Sequence, residues 1–384
     1  MRWSEERQAL KETAMEFTRR EILPHLADWE QAGELPRALH QAAAKQGLLG
    51  VGYPESAGGE GGDLLDGCAM QEGFMEAGAS GGLMASLFTH GIALPHLIAN
   101  GSPDLVDRFA RPTLAGEKIG SLAVTEPGGG SDVAGITTRA DRDGDHYLIN
   151  GAKTFITSAV RADFVTTAVR TGGPGHGGIS LIVVEEGTPG FTVTRSLAKM
   201  GWHCSDTAEL SYVDVRVPAE NLIGQENQGF YYIAEQFVVE RIFLALMGYG
   251  HAKRSLGLAA AYCQERETFG KPLVANQVVR AKLVEMHRQV EVARTYTLEV
   301  AARHVAGESV VAEACLAKQT AVETAVDVTS EAVQLFGGTG YLQGTEVERH
   351  YRDARILPIG GGATEVLTDL AARLLGYTPA KGAR

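Results

Sequence analysis

Cysteine is scarce in this 384-residue chain: Cys68, Cys204, Cys263 and Cys315 are the only four, and they form neither a CxxC pair nor a zinc-ligand spacing. That argues against a disulfide-stapled secreted scaffold and a cysteine metal site, and four free thiols fit a reducing compartment. Cations are outnumbered, 35 Lys and Arg against 47 Asp and Glu, for a net charge of -12, and they are scattered. A nucleic-acid surface or an anionic-membrane surface needs them clustered. No run is apolar over the ~18 residues of a membrane span, and Met1 to Arg7 lead into a charged amphipathic helix instead of an apolar signal. HExxH, Walker and GxSxG motifs are missing, which removes the usual support for zincin, P-loop and α/β-hydrolase chemistry. Gly338-Thr339-Gly340-Tyr341-Leu342-Gln343 lacks the third glycine of a dinucleotide fingerprint and follows a helical stretch, so nicotinamide binding is disfavoured. Nor is there a repeat at the period of about 20 to 50 residues that marks a solenoid. The expectation is a cytoplasmic protein with no metal, no nucleic-acid partner and no membrane span.

What is present is the ordinary material of a large globular protein, 44% hydrophobic and 21% charged, enough for two or three domains. From Glu5 to about Ala115 apolar residues recur at helical spacing (Leu10, Ala14, Phe17; Leu39, Ala43, Leu48), broken at Pro54 to Gly62 and at Gly101-Ser102-Pro103. Between Ile119 and Gly224 the texture changes to short β-branched and aromatic runs, such as Phe164 to Val169, Ile179 to Val184 and Glu209 to Val215, with turn clusters at Asp143-Gly144-Asp145 and Thr171 to Gly178. Beyond Gly229 the helical period returns, as in Leu283, Met286, Val290, Ala293 and Thr297. The reading is α+β: a helical N-terminal domain (1–118), a middle antiparallel β domain (119–226) and a C-terminal four-helix bundle (227–384).

One loop stands out within this plan. Val124-Thr125-Glu126-Pro127-Gly128-Gly129-Gly130-Ser131-Asp132 concentrates short hydrogen-bonding groups among glycines, which suits an anionic, many-atomed cofactor or, more plainly, a turn between elements. Together with Ile149-Asn150-Gly151-Ala152-Lys153-Thr154-Phe155-Ile156-Thr157, Arg266-Glu267-Thr268-Phe269-Gly270-Lys271 and Gln334-Leu335-Phe336-Gly337-Gly338-Thr339-Gly340-Tyr341, it resembles the acyl-CoA dehydrogenases. Four blocks in the family's order carry the resemblance, which spans essentially the whole chain.

The resemblance implies an FAD enzyme, usually a homotetramer built as a dimer of dimers, that places an α,β double bond in an acyl-CoA thioester and passes electrons to electron-transfer flavoprotein in fatty-acid β-oxidation. Carried over position by position, it gives Thr125 to the flavin pyrimidine edge and Ser131 to both FAD and acyl-CoA. Thr157 falls to the flavin N5 region, with Phe155 beside the ring. Arg266, Phe269, Gln334, Gly337 and Gly338 reach the pyrophosphate and adenine of the FAD held mainly by a neighbouring subunit. A guanidinium pairs well with a pyrophosphate. Taken singly, Arg266 reads equally as a surface ion-pair partner, Phe269 as a core residue and Gly337-Gly338 as a helix cap. Phe155 stands where several relatives carry tryptophan, and Gly344 where an acidic or amide residue is usual.

The chemistry needs a carboxylate in an apolar setting to take the α-proton. In much of the family it precedes a glycine in the C-terminal motif, but here the matching position is Gly361, within Gly360-Gly361-Gly362. Long-chain and isovaleryl-type enzymes instead place a glutamate on a bundle helix immediately before an arginine, and this chain has Glu240-Arg241, inside the apolar run Phe237 to Leu244. Desolvation there raises a carboxylate's pKa toward the range of a useful base; a buried, ion-paired glutamate is the structural alternative. Glu240 is therefore the expected base, Arg241 a cation shaping the substrate site, and the Gly361 N–H part of an oxyanion hole. Gly360 is expected to leave room beside the thioester. Glu365 is expected to contact the adenine end of FAD at most, and Glu126 to be structural. The expected substrate is a medium or long, or methyl-branched, acyl-CoA. An oxidase-like flavoenzyme of the acyl-CoA or nitroalkane type, using oxygen, and a non-catalytic flavoprotein scaffold are the alternatives.

Overall fold

Side-chain caps set several helix starts in the N-terminal region. The Ser4 hydroxyl accepts a hydrogen bond from the Arg7 N–H (3.3 Å) at the head of Glu5–Phe17, and Asp63 and Asp66 form a reciprocal capping box at the head of Leu64–Ala77. Pro95 and Pro103 stand at first-turn positions, where a missing N–H costs nothing. The computed structural model describes residues 2–378.

The middle region is one seven-stranded sheet: β1 (Gly120–Ala123), β2 (Arg139–Asp143), β3 (His146–Thr157), β4 (Phe164–Arg170), β5 (Ile179–Glu185), β6 (Phe191–Ser196) and β7 (Thr207–Pro218). Along the path β1-β4-β2-β3-β7-β6, with β5 on β4, the pairs β2–β3, β3–β7, β6–β7 and β4–β5 are antiparallel. The exception to an all-antiparallel reading is β1, which runs parallel to β4 (Gly120 opposite Phe164), as does β2 at its single bridge from Arg139 to Arg170. The physical reason is the β2–β3 hairpin lying between β1 and β4 in the chain, which lets β4 return in the direction of β1.

Three long helices follow, Gly229–Glu265, Gln277–Val305 and Val311–Phe336, with the shorter Glu346–Ala354 and Thr364–Leu374 both packed on Val311–Phe336. Gly229–Glu265 also packs against the N-terminal helix Leu64–Ala77, so bundle and N-terminal region share one core that includes Phe17, Phe74, Leu83, Ile242, Leu246, Tyr249, Ala317 and Ala321. A second core fills the sheet (Tyr147, Ile149, Leu210, Val217), and a third joins Leu97 and Phe109 to Phe164, Leu181 and Ile233. Polar ties cross the same seams. The Asp353 carboxylate, fully buried, accepts from the Gly81 N–H (2.9 Å) and the Trp202 N–H (2.6 Å), so one side chain touches all three regions. No single helix among the described residues is long and apolar enough to cross a membrane.

Candidate active site

Glu240 lies half-buried in the middle of an apolar stretch of Gly229–Glu265, and Leu244 one turn later shares its face. Opposite them sits Gly361, in the turn between Glu346–Ala354 and Thr364–Leu374. A Cβ at that position would stand 3.2 Å from Glu240 Oε1 and 2.1 Å from Leu244 Cδ1. With φ +61° and Leu244 in that space, the turn requires glycine. Among the described residues the Gly361 N–H meets no acceptor, so a residue with a free donor stands beside the carboxylate. Burial pushes the Glu240 carboxyl above its ordinary range, and Lys318 and Arg241 pull it partly back.

Arg241, one step round the helix, is buried at 7% exposure with its guanidinium 5.5 Å over the Phe237 ring, and its Nε finds no partner among the described residues. It acts on Glu240 and Lys318 through charge. Gly360 turns its carbonyl onto Lys318, at 2.5 Å from Nζ. Lys318 is absent from the residues singled out in the sequence. Its signal was a charged residue on the apolar stripe of Val311–Phe336, beside Ala314, Ala317 and Ala321.

A second group gathers where the glycine-rich loop meets the end of β3. Thr125 and Thr157 are half-buried and Ser131 is exposed, and none of the three hydroxyls makes a hydrogen bond among the described residues. Phe155 is 67% exposed with φ +60°, at a register break in the β3–β7 ladder. Beneath the loop, buried Lys153 donates to the Val124 carbonyl (3.0 Å) and to Glu126 (2.9 Å), which also accepts from Thr137 N (2.7 Å), Thr137 Oγ1 (2.8 Å) and Thr138 N (2.9 Å). Burial works to raise the Glu126 carboxyl, but Lys153 and these donors outweigh it and hold it at about 2. Glu126 thus pins the loop. Nothing lies within 4 Å of a Cβ built on Gly128 or Gly129, so packing within the chain does not account for those glycines. Unspent hydroxyls, an exposed ring and an open glycine edge fit the flavin end of FAD.

The third group lies at the far end of the same long helix. Arg266 follows directly on Gly229–Glu265 and is exposed, with no ion pair among the described residues. Phe269, fully exposed at 104% with φ +52°, tips a hairpin in which Glu267–Thr268 pairs with Lys271–Pro272, so the sequence's alternative of a core phenylalanine is excluded. Tyr262, four residues before Arg266, stacks on Phe336 at 4.2 Å and so brings this end of the helix beside the segment of exposed Gln334, Gly337 and Gly338. At 1.5 Å per residue, Glu240 and Arg266 are about 39 Å apart along the helix, further than one extended dinucleotide reaches. Glu365 is exposed in the first turn of Thr364–Leu374, four residues past Gly361.

Profiles described as acyl-CoA dehydrogenase N-terminal, middle and C-terminal domains match residues 4–117, 121–215 and 227–376. The chain is 37% identical over 376 residues to the long-chain specific acyl-CoA dehydrogenase, mitochondrial, of Sus scrofa, covering 97% of this chain and 86% of that protein. Its structure is similar to that of a putative acyl-CoA dehydrogenase from Mycobacterium smegmatis, at TM-score 0.97 and 59% identity over 98% of this chain and 99% of that one. It is also similar to the FAD complex of PigA, at TM-score 0.94 and 26% identity over 98% and 99% of the two chains.

Proposed function

The chain belongs to the acyl-CoA dehydrogenase family of FAD-dependent oxidoreductases, and from that premise we propose that Glu240 is the base that removes the α-proton of a medium or long, or methyl-branched, acyl-CoA. The observation that carries the reading is that the Glu240 carboxylate lies beside Gly361, whose N–H is unpaired among the described residues. The N–H donates to the thioester carbonyl oxygen, where negative charge grows as the α C–H bond breaks, and so acidifies that proton. Glu240 takes the proton, and the electron pair of the α C–H bond becomes the new π bond as a hydride leaves the β carbon. FAD, when bound, supplies the acceptor for that hydride. Apolar surroundings keep water from the carboxylate and hold its basicity up.

At Gly360 a Cβ would meet nothing nearer than 3.7 Å, and room there favours bulk or branching near the carbonyl, whereas Leu244 and Leu367 fill the space beside Gly361 and Gly362. Thr125, Ser131, Phe155 and Thr157 hold the flavin end of FAD. The distance of Arg266, Phe269, Gln334, Gly337 and Gly338 from Glu240 favours their serving the FAD of a second copy of the chain, in a homotetramer arranged as a dimer of dimers. Electrons leave to electron-transfer flavoprotein.

Anaerobic titration of the purified holoenzyme with straight and methyl-branched acyl-CoAs, followed at the visible flavin band, tests the reading. Bleaching by one subset identifies the substrate class. Glu240→Gln is expected to keep FAD and bind acyl-CoA while bleaching several orders of magnitude more slowly. Near-native bleaching by that variant would reject Glu240 as the base.

A further inference from the structure

Lys318 is a lysine at 1% exposure with no carboxylate within ion-pair distance among the described residues. Such a cation is costly to bury, and the other two buried lysines among the described residues take acid partners, Lys153 with Glu126 and Lys11 with Glu72. Lys318 instead gives two of its three donors to backbone: Nζ lies 2.5 Å from the Gly360 carbonyl oxygen and 2.6 Å from that of Gly362. These carbonyls flank Gly361 on both sides.

Peptide geometry gives that arrangement a consequence. Every peptide bond in the described chain is trans, and in a trans peptide the C=O of one residue and the N–H of the next point in opposite directions across one rigid plane. Fixing the Gly360 carbonyl on Lys318 therefore aims the Gly361 N–H directly away from Lys318. The three glycines of the turn have no side chains with which to hold that plane themselves.

We propose that Lys318 is a positioning residue, which clamps the carbonyls on either side of Gly361 so that the Gly361 N–H is presented to the thioester carbonyl of the substrate. The inference rests on the proposed dehydrogenation. The groups acting on Lys318 electrostatically are Glu240 and Arg241 from one helix and Cys315 from its own. Burial lowers its pKa to about 8, with Glu240 opposing and Arg241 reinforcing that fall. The clamp is accordingly charged at neutral pH and weakens above about pH 8.

Lys318→Met keeps the stem and removes the donors and the charge, and Lys318→Arg restores both. In stopped-flow bleaching of holoenzyme at saturating acyl-CoA, the methionine variant is expected to be slower by about 100-fold, the scale of losing an oxyanion donor, with little change in the half-saturating concentration. A second readout needs no turnover. In a 3-thiaacyl-CoA sulfur replaces the β-carbon, so an α-proton can leave but no hydride follows. The pH at which the bound analogue ionises is expected to rise by about one unit in Lys318→Met and to return toward the wild-type value in Lys318→Arg. If Lys318→Met does not fold, Lys318→Leu, which likewise lacks donors and charge, is read in the same way. Wild-type rate and wild-type ionisation pH in the folded neutral variant would overturn the clamp alone. A wild-type holoenzyme that no acyl-CoA bleaches would overturn the clamp together with the dehydrogenase reading.

Discussion

Glu240 pays for its reactivity in stability. Its carboxyl is raised by burial, so the proton it binds in the folded state is held more tightly than in the unfolded chain, whose carboxyl sits near 4.5. The sign follows from linkage: stability is greatest below the unfolded value and is lost as pH rises through the higher folded value. The charged form is the costly one, and it is the form a base requires. Glu240→Gln is therefore expected to melt at or above the wild-type temperature near pH 8, with the difference shrinking toward pH 4. Melting curves of the two holoenzymes across that range check it, and a variant less stable at pH 8 would show that the carboxylate makes a favourable contact. Glu240 itself was legible from the apolar run around it together with the resemblance. Lys318 was not, because its partners are carbonyls of a loop 42 and 44 residues away in the chain, and no local pattern encodes that meeting.

At the scale of elements, the glycine turn and the long helix are shaped to each other through Leu244. Gly361→Ala is expected to destabilise by about 1–3 kcal/mol from its left-handed backbone alone, with an added clash because Leu244 Cδ1 would lie 2.1 Å from the new Cβ. On a Leu244→Ala background the clash vanishes and the strain remains, so the cost of Gly361→Ala should fall without reaching zero. A double-mutant cycle in melting temperature measures the difference, and equal costs on both backgrounds would rule out the contact. The succession of helical, β and helical regions was plain from the change of period at Ile119 and Gly229. The parallel pairing of β1 with β4 was hidden, since strand composition does not record direction. The exposed Phe269 was ambiguous for a related reason: an aromatic side chain reads as core until its hairpin is seen to carry it outward.

For the whole molecule, the separate cores and the ties between them make the three regions interdependent. Phe74 and Met75 of the N-terminal region lie in the core of Ile242 and Leu246, while Asp353 holds backbone from both other regions. The uninterrupted helix Gly229–Glu265 carries Glu240 in its first third and delivers Arg266 just past its far end. If the far end serves a second copy's cofactor, each site draws on two chains, and inheritance of function becomes separable. Two inactive variants, Glu240→Gln and a doubly substituted Arg266→Ala, Phe269→Ala chain, are expected to complement one another when co-expressed. A mixed pair then contains one site with both defects and one with neither. Recovered bleaching in the purified heteromer, at about half the activity per pair that two intact sites would give, is the expected signature, and its absence would confine each site to a single chain.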